Sequence, residues 1–271
     1  MGYGDALRAG YPDLRPTVED LFLLEAHEVA ELPERAPSRE LAAILHAHSA
    51  LRRFLVARHP AGEEALRRLM ADHPAVDPTT LEEYEQTVVW EVADWIMYER
   101  APDYYDARSE ITWDSRAVTD VVHLDSAVVI DGGAGTGRVT FAVAPAARHV
   151  FAVEPVGTLR RYLRDRASRD GVPNVYVVDG FLHAIPLPAD TADVLVTCHS
   201  IGWSLPRELA EIERVLRPGG TAVHLFGVEA AGPLDGPLFH GLVDGGYRHD
   251  VHQVEDRRIH RYVKRLPVPS G

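Results

Sequence analysis

Val128-Val-Ile-Asp-Gly-Gly-Ala-Gly-Thr-Gly-Arg138 is the stretch of sequence that decides the fold. It begins as a short apolar run of the kind that forms a buried strand, and the acid Asp131 stands at the end of that run. Gly133, Gly135 and Gly137 then occupy a turn that leads into a helical pattern. Glycine lets a backbone approach a ligand closely and adopt conformations that other residues avoid. The stretch therefore predicts a strand, a ligand-binding turn and a helix, in that order.

Two common nucleotide-binding motifs do not fit this turn. A P-loop has a lysine after its last glycine, and Arg138 stands at that position. The dinucleotide motif G-x-G-x-x-G needs glycine or alanine at position 138, so Arg138 breaks that motif as well. The pattern that remains is Asp-x-Gly-x-Gly-x-Gly, from Asp131 to Gly137.

The sequence around and after this turn alternates strand-like and helix-like segments. The predicted strands are Ala127–Ile130, His149–Val153, Val175–Val178, Val194–Thr197, Thr221–Phe226, Tyr247–Val254 and Ile259–Leu266. Helical patterns occupy residues 137–145, 156–169 and 206–216, and Arg217-Pro-Gly-Gly220 ends the last of them. Alternation of this kind predicts an α/β fold: a Rossmann-like, doubly wound, mostly parallel seven-stranded sheet whose last strand is antiparallel.

Further motifs follow the glycine turn in a fixed order. Glu154 ends the second strand, 23 residues after Asp131, and Asp179-Gly180-Phe181 ends the third. Ile185–Val194 is a proline-containing approach to the fourth strand, and Glu213–Gly220 forms the corner before the fifth. Together these motifs resemble those of the seven-stranded S-adenosylmethionine-dependent methyltransferases over about residues 100–266.

The resemblance implies a set of residues that bind S-adenosylmethionine and its product S-adenosylhomocysteine. Glu154 is expected to accept hydrogen bonds from both ribose hydroxyls, and Asp179 from the adenine amino group, with Phe181 against the ring. Asp131 lies in the same site, where it contacts the cofactor or fixes the glycine turn through backbone N–H groups. The implied cofactor-binding residues are Asp131, Gly132, Gly133, Gly135, Gly137, Glu154, Pro155, Asp179, Gly180, Phe181 and Tyr105.

The aromatic residues before the first strand have two interpretations. In similar methyltransferases this stretch crosses over the cofactor, so Tyr104, Tyr105 and Trp113 would face the sulfonium cation. The alternative is ordinary packing of a helix against the sheet.

His199 is the candidate catalytic base, because it follows the fourth strand and histidine titrates near neutral pH. The alternative is a histidine hydrogen-bonded to the backbone of its own loop. The single cysteine, Cys198, is interpreted as a packing residue, since no cation near it in sequence would stabilise a thiolate. No metal site is expected.

Residues 1–114 are predicted to form an all-helical N-terminal lobe, and residues 115–271 the S-adenosylmethionine-binding domain. Apolar positions from Ser38 to Leu55 follow the spacing of an amphipathic helix, and a second such stripe runs from Leu81 to Ile96 after a capping box at Thr80–Glu83. Residues 1–115 carry 23 acidic and 11 basic side chains, a net charge of −12, whereas residues 116–271 carry 18 and 17. Neither part has the basic field that binding to nucleic acid requires.

These features predict a methyltransferase that acts on an oxygen or nitrogen atom of a small molecule, with the helical lobe as its substrate lid. A protein of the same fold with other S-adenosylmethionine chemistry, or a non-catalytic partner subunit, is the alternative. No secretory signal and no apolar run of membrane-spanning length is visible, so a cytoplasmic location is expected. The lobe is also a candidate homodimer interface.

Overall fold

A computed structural model describes residues 3–108, 114–228, 234–255 and 257–268. The chain divides into two compact units, Met1–Ser109 and Glu110–Gly271. This boundary lies five residues before the one predicted at 114/115. Among the described residues, none of the helices combines the length and the apolar character that a membrane span requires.

All regular elements within residues 3–108 are helical. They are α1 (Tyr3–Gly10), α2 (Ala26–Arg35), α3 (Ser38–Ala47), α4 (Ser49–Arg58), α5 (Glu63–Asp72), α6 (Pro78–Glu91), α7 (Ala93–Arg100) and α8 (Pro102–Arg108), with 3₁₀ turns at Val18–Leu23 and Pro60–Gly62. Their apolar faces share one core, in which Leu41, Ile44, Leu55 and Ile96 are almost fully buried. The predicted apolar stripes therefore form the interior of this unit.

The structure corrects the extent of two predicted helices. The stripe from Ser38 to Leu55 belongs to two helices, because the backbone leaves helical geometry at His48, with φ −106° and ψ 76°. The second stripe is likewise divided at Val92, between α6 and α7. Apolar spacing continues across both breaks, so the periodicity alone could not show them.

The capping box predicted at Thr80–Glu83 is wrong. Helix α6 begins at Pro78, and Asp77 is its N-cap: one carboxylate oxygen accepts hydrogen bonds from the backbone N–H groups of Thr79 and Thr80, each at 3.1 Å. Proline suits the first helical position because its missing N–H would have no partner there. Thr80 is therefore inside the first turn.

The second unit contains the predicted seven-stranded sheet. Its strands are β1 (Val128–Gly132), β2 (His149–Glu154), β3 (Val175–Asp179), β4 (Ala192–Cys198), β5 (Leu216–Val228), β6 (Arg248–Val254) and β7 (Arg257–Arg265). The helices are α9 (Arg116–Thr119), α10 (Arg138–Val143), α11 (Gly157–Arg169), α12 (Leu205–Val215) and α13 (Pro237–Asp244). The strand order is β3-β2-β1-β4-β5-β7-β6, and β7 runs antiparallel to both of its neighbours. The predicted fold class is confirmed.

The register of the central strands brings the predicted site residues to one edge of the sheet. Every residue of β1 is buried, because apolar side chains cover both faces of the strand. Gly132 lies beside Val153 of β2 and Thr197 of β4, and Glu154 lies beside Asp179. Parallel strands end at the same edge, which is where open α/β sheets bind their ligands.

Candidate cofactor site

At two positions in the turn between β1 and α10, neighbouring side chains leave no room for any residue but glycine. The φ values of Gly133, Gly135 and Gly137 are +69°, +56° and +90°, in the left-handed region. A Cβ atom on Gly133 would lie 2.3 Å from the Cβ of Ser200, and one on Gly137 would lie 2.5 Å from the ring of Phe141. A Cβ on Gly135 would meet no heavy atom of the described residues within 4 Å. Gly135 therefore borders open space, as a ligand-binding position must.

Glu154 holds this turn in place. The residue is 3% exposed, and its two carboxylate oxygens accept hydrogen bonds from the backbone N–H groups of Gly135 and Val156, both at 2.8 Å. Each carboxylate oxygen can accept a second hydrogen bond, so two acceptor positions of Glu154 are left over from the contacts with the turn. Burial raises the pKa of Glu154 to about 7, against the opposing effect of the two N–H donors.

Asp131 connects the end of β1 to α10. One of its carboxylate oxygens accepts hydrogen bonds from the backbone N–H of Thr140, at 2.8 Å, and from the Thr140 hydroxyl, at 2.5 Å. Asp131 is 2% exposed, and burial raises its pKa to about 6 although both bonds from Thr140 favour the charged form. These N–H and O–H groups belong to the first turn of the helix, whereas Glu154 holds the glycine turn itself.

Asp179 is exposed and lies beside an arginine. Arg160 of α11 makes an ion pair with the Asp179 carboxylate at 3.0 Å. The same guanidinium nitrogen donates to the backbone carbonyls of Glu154 and Pro155, at 3.0 and 2.5 Å. Arg160 therefore ties the end of β2 to the end of β3.

The two residues after Asp179 are packed against their own loop. A Cβ atom on Gly180 would lie 2.6 Å from Pro186, so this position leaves no room for a side chain. The Phe181 ring stacks on His183, with ring centroids 5.2 Å apart. This pair of rings lies just after the carboxyl end of β3.

His199 is tied to the strand next to it. Its Nε2 accepts a hydrogen bond from the backbone N–H of Gly227 at 2.8 Å, and its own backbone N–H donates to Leu225 at 3.1 Å. The lone pair that a general base would use is therefore engaged. The residue is exposed, yet the surrounding chain partly desolvates the ring and lowers its pKa below the ordinary value. Catalysis by His199 would require the ring to release Gly227, and this role stays a prediction.

The Cys198 thiol is neutral near pH 7. Burial raises its pKa to about 12, and the nearby carboxylate of Asp131 acts in the same direction. Cys198 packs among the apolar side chains on one face of the sheet. Within the described ranges, no group of three or more His, Cys, Asp or Glu side chains could hold a metal ion.

The aromatic candidates before β1 belong to a different part of the structure. Tyr105 lies in the helical unit, where its ring stands edge-on to Tyr98 with centroids 4.9 Å apart. Trp113 lies outside the described residues. Contact of Tyr105 with the cofactor stays a prediction.

Sequence reasoning missed four residues that shape this edge of the sheet. Thr140 and Arg160 are described above, and the Ser200 hydroxyl donates to the Gly132 carbonyl at 2.6 Å. Glu208 is 1% exposed and accepts the backbone N–H of Gly202 at 2.8 Å, so the loop that contains His199 is held at both ends. These bonds join residues that are up to 68 positions apart, and no local pattern marks them.

Known proteins resemble parts of this chain in sequence. Residues 130–224 match the family described as a methyltransferase domain. The malonyl-[acyl-carrier protein] O-methyltransferase of Pectobacterium atrosepticum is 29% identical over 152 residues, which cover 48% of this chain and 56% of that protein. The U6 snRNA (guanine-N(2))-methyltransferase of Bos taurus is 29% identical over 163 residues, which cover 51% of this chain and 31% of that one.

Solved structures also resemble part of this chain, at low sequence identity. A SAM-dependent methyltransferase from Aquifex aeolicus has 17% identity and a TM-score of 0.47, over 69% of this chain and 98% of that one. The chain spans about half the length of the first curated relative above and less than a third of the second.

The strand order is that of a doubly wound domain. The acidic residues and glycines at the carboxyl edge of its sheet are of the kind that binds a nucleoside cofactor. More particularly, residues 130–224 match a methyltransferase domain, and the seven-stranded sheet is consistent with the S-adenosylmethionine-dependent methyltransferases. S-adenosylmethionine is the cofactor of that family.

Proposed function

We propose that this protein transfers the methyl group of S-adenosylmethionine to an oxygen or nitrogen atom of a small molecule. The observation that carries the proposal is Glu154: a buried carboxylate at the end of β2 that holds the glycine turn and keeps two acceptor positions. A ribose offers two neighbouring hydroxyl donors, which match those positions. Charge-assisted bonds of this kind contribute roughly 1.5–3 kcal/mol each.

The other residues of this edge have roles that follow from their chemistry. Gly135 borders the open space that a cofactor needs, and the Phe181 ring offers an apolar surface to adenine. Asp179 is the proposed acceptor for the adenine amino group; its exposed carboxylate is kept in position by Arg160. Asp131 supports the site indirectly, because it fixes α10 directly after the glycine turn.

The transfer itself asks little of the side chains. The sulfonium supplies an electrophilic methyl group, so the protein has to hold the acceptor atom in line with it and keep water out. A base is needed only if the acceptor loses a proton of high pKa, as a hydroxyl does. His199 is the candidate for that task, once its bond to Gly227 is released.

The acceptor is proposed to be a cationic or neutral small molecule. Residues 1–115 have a net charge of −12, which disfavours anionic acceptors and the phosphate backbone of nucleic acid. One relative is by name a methyltransferase of U6 snRNA, and RNA is therefore the acceptor class that an experiment has to exclude. A role of the helical lobe as substrate lid or as homodimer interface, and a cytoplasmic location, remain predictions.

Two measurements test the proposal. S-adenosylmethionine and S-adenosylhomocysteine should raise the melting temperature, and NAD should not, since only ligands that bind the native state stabilise it. Labelled S-adenosylmethionine with a cell extract should then give a labelled small molecule. No shift with either sulfur compound, or an equal shift with NAD, contradicts the cofactor assignment. Label that is lost on treatment with ribonuclease would identify an RNA acceptor, and cofactor binding without any transfer would favour a non-catalytic subunit.

A further inference from the structure

The helical unit contains a groove between α4 and α5 whose residues are not among those proposed to bind the cofactor. Its volume is about 500 Å³. We call it the α4–α5 groove; it is lined by Arg52, Arg53, Val56, Ala57, Glu63, Leu66, Arg67 and Met70.

The groove has an apolar floor. The 3₁₀ turn Pro60–Gly62 joins α4 and α5, and the facing residues recur at helical spacing on both helices. Leu66 is 6% exposed, and Val56 and Met70 are half-buried, so the floor is apolar along its length. A ligand here would remove apolar surface from water.

The two ends of the groove differ in charge. Near the turn, Arg67 makes ion pairs with Glu63, at 3.0 Å, and with Glu64. At the other end, Arg52 and Arg53 form no ion pair with any residue in the described part of the chain; their side chains reach only the sulfur of Met70, at 3.9 Å, and the hydroxyl of Ser49, at 3.4 Å. Two arginines without an ion pair therefore line the same end of the groove, in a region whose net charge is strongly negative.

We propose that the α4–α5 groove binds a small amphipathic anion: a carboxylate or a phosphate monoester on a short alkyl chain. The anion lies on the guanidinium groups of Arg52 and Arg53, which suit planar and tetrahedral oxyanions. The alkyl chain lies along Val56, Leu66 and Met70. From Arg52 to Ala57 the helix rises about 7.5 Å, so a chain of about six carbons fills the groove.

Isothermal titration of the full-length protein with hexyl phosphate and with hexanoate tests this site. At least one probe should bind with one site per chain and a dissociation constant of about 1 mM or tighter. Inorganic phosphate, which has no chain, should bind at least about tenfold more weakly than hexyl phosphate. The stronger of the two probes identifies the anion class.

A matched pair of variants locates the site. Arg52→Gln combined with Arg53→Gln should weaken binding at least about tenfold and leave the circular dichroism spectrum unchanged. Arg68→Gln also removes one positive charge from α5, but Arg68 pairs with Glu64 and does not line the groove, so binding should be unaffected. The proposal is overturned if neither probe binds, if inorganic phosphate binds as well as hexyl phosphate, or if the folded double variant keeps its affinity.

Discussion

At the scale of single residues, Glu154 combines two tasks that are usually considered separately. Its carboxylate orders the glycine turn through Gly135 and is also the proposed acceptor for the ribose hydroxyls. Both tasks require the charged form, because a protonated carboxyl loses acceptor strength. Burial alone would favour the neutral form, and the pKa of about 7 is the result of this opposition.

The affinity for S-adenosylhomocysteine should therefore depend on pH. The folded pKa of Glu154 is raised, so its carboxylate is fully charged only above pH 7, and binding weakens as the pH falls through that value. Each pH unit below the pKa costs a factor of about ten, and affinity at pH 6 should be about tenfold lower than at pH 8. Isothermal titration across this range measures the slope.

Glu154→Gln supplies the control for this pH dependence. The amide keeps the size of the side chain but has no charge, so the variant should bind at least tenfold more weakly at pH 8, with little change down to pH 6. A variant that keeps the wild-type pH profile would show that another group is responsible.

At the scale of elements, the turn between β1 and α10 separates a folding requirement from a binding requirement. Gly133 and Gly137 are enclosed by other side chains, whereas Gly135 is open. All three share a left-handed backbone, where a residue with a Cβ costs roughly 1–2 kcal/mol. The difference between the positions is therefore steric.

Gly137→Ala and Gly135→Ala form a matched pair. Gly137→Ala adds a clash with Phe141 and Leu163 to the backbone strain, so it should lower the melting temperature clearly more than Gly135→Ala does. Gly135→Ala should cost about 1 kcal/mol of stability and weaken S-adenosylhomocysteine binding about tenfold or more, because its methyl group enters the ligand space. Unchanged binding by Gly135→Ala would place the cofactor elsewhere.

At the scale of the whole molecule, the two units should respond to different conditions. The helical unit contains Glu28, which is 2% exposed and has one carboxylate oxygen, Oε1, with no hydrogen-bond partner among the described residues. Burial, opposed by the backbone N–H of Glu25 and reinforced by nearby acids such as Asp94, raises the pKa of Glu28 to about 8. Because the pKa of Glu28 is higher in the folded state than its ordinary value of 4.5, the helical unit loses stability as the pH rises from about 4.5 to about 8.

Glu28→Gln should stabilise the helical unit at alkaline pH. The amide keeps an acceptor for the Glu25 N–H and carries no buried charge, so the gain at pH 9 is on the order of 1–3 kcal/mol and shrinks toward pH 5. Calorimetry with S-adenosylhomocysteine distinguishes the units, since the ligand should raise the transition of the second unit more than that of the helical unit. Glu34→Gln, on the exposed side of α2, is the control and should change neither transition. If both variants gain equally, the effect comes from the change in net charge and not from the burial of Glu28.

The sequence by itself determined the fold class, the seven strands and the position of the glycine turn, because apolar spacing, glycines and strand-end acids are local features. Only the tertiary structure decided what those acids contact. It showed that Asp131 holds α10 through Thr140, that Glu154 holds the glycine turn, and that Arg160 joins the ends of β2 and β3. It also showed that each long apolar stripe is divided between two helices, at His48 and at Val92, although the apolar spacing continues across both breaks. Hydrogen bonds and chain breaks of this kind depend on residues that meet only after the strands and helices have packed, and their partners leave no mark in the neighbouring sequence.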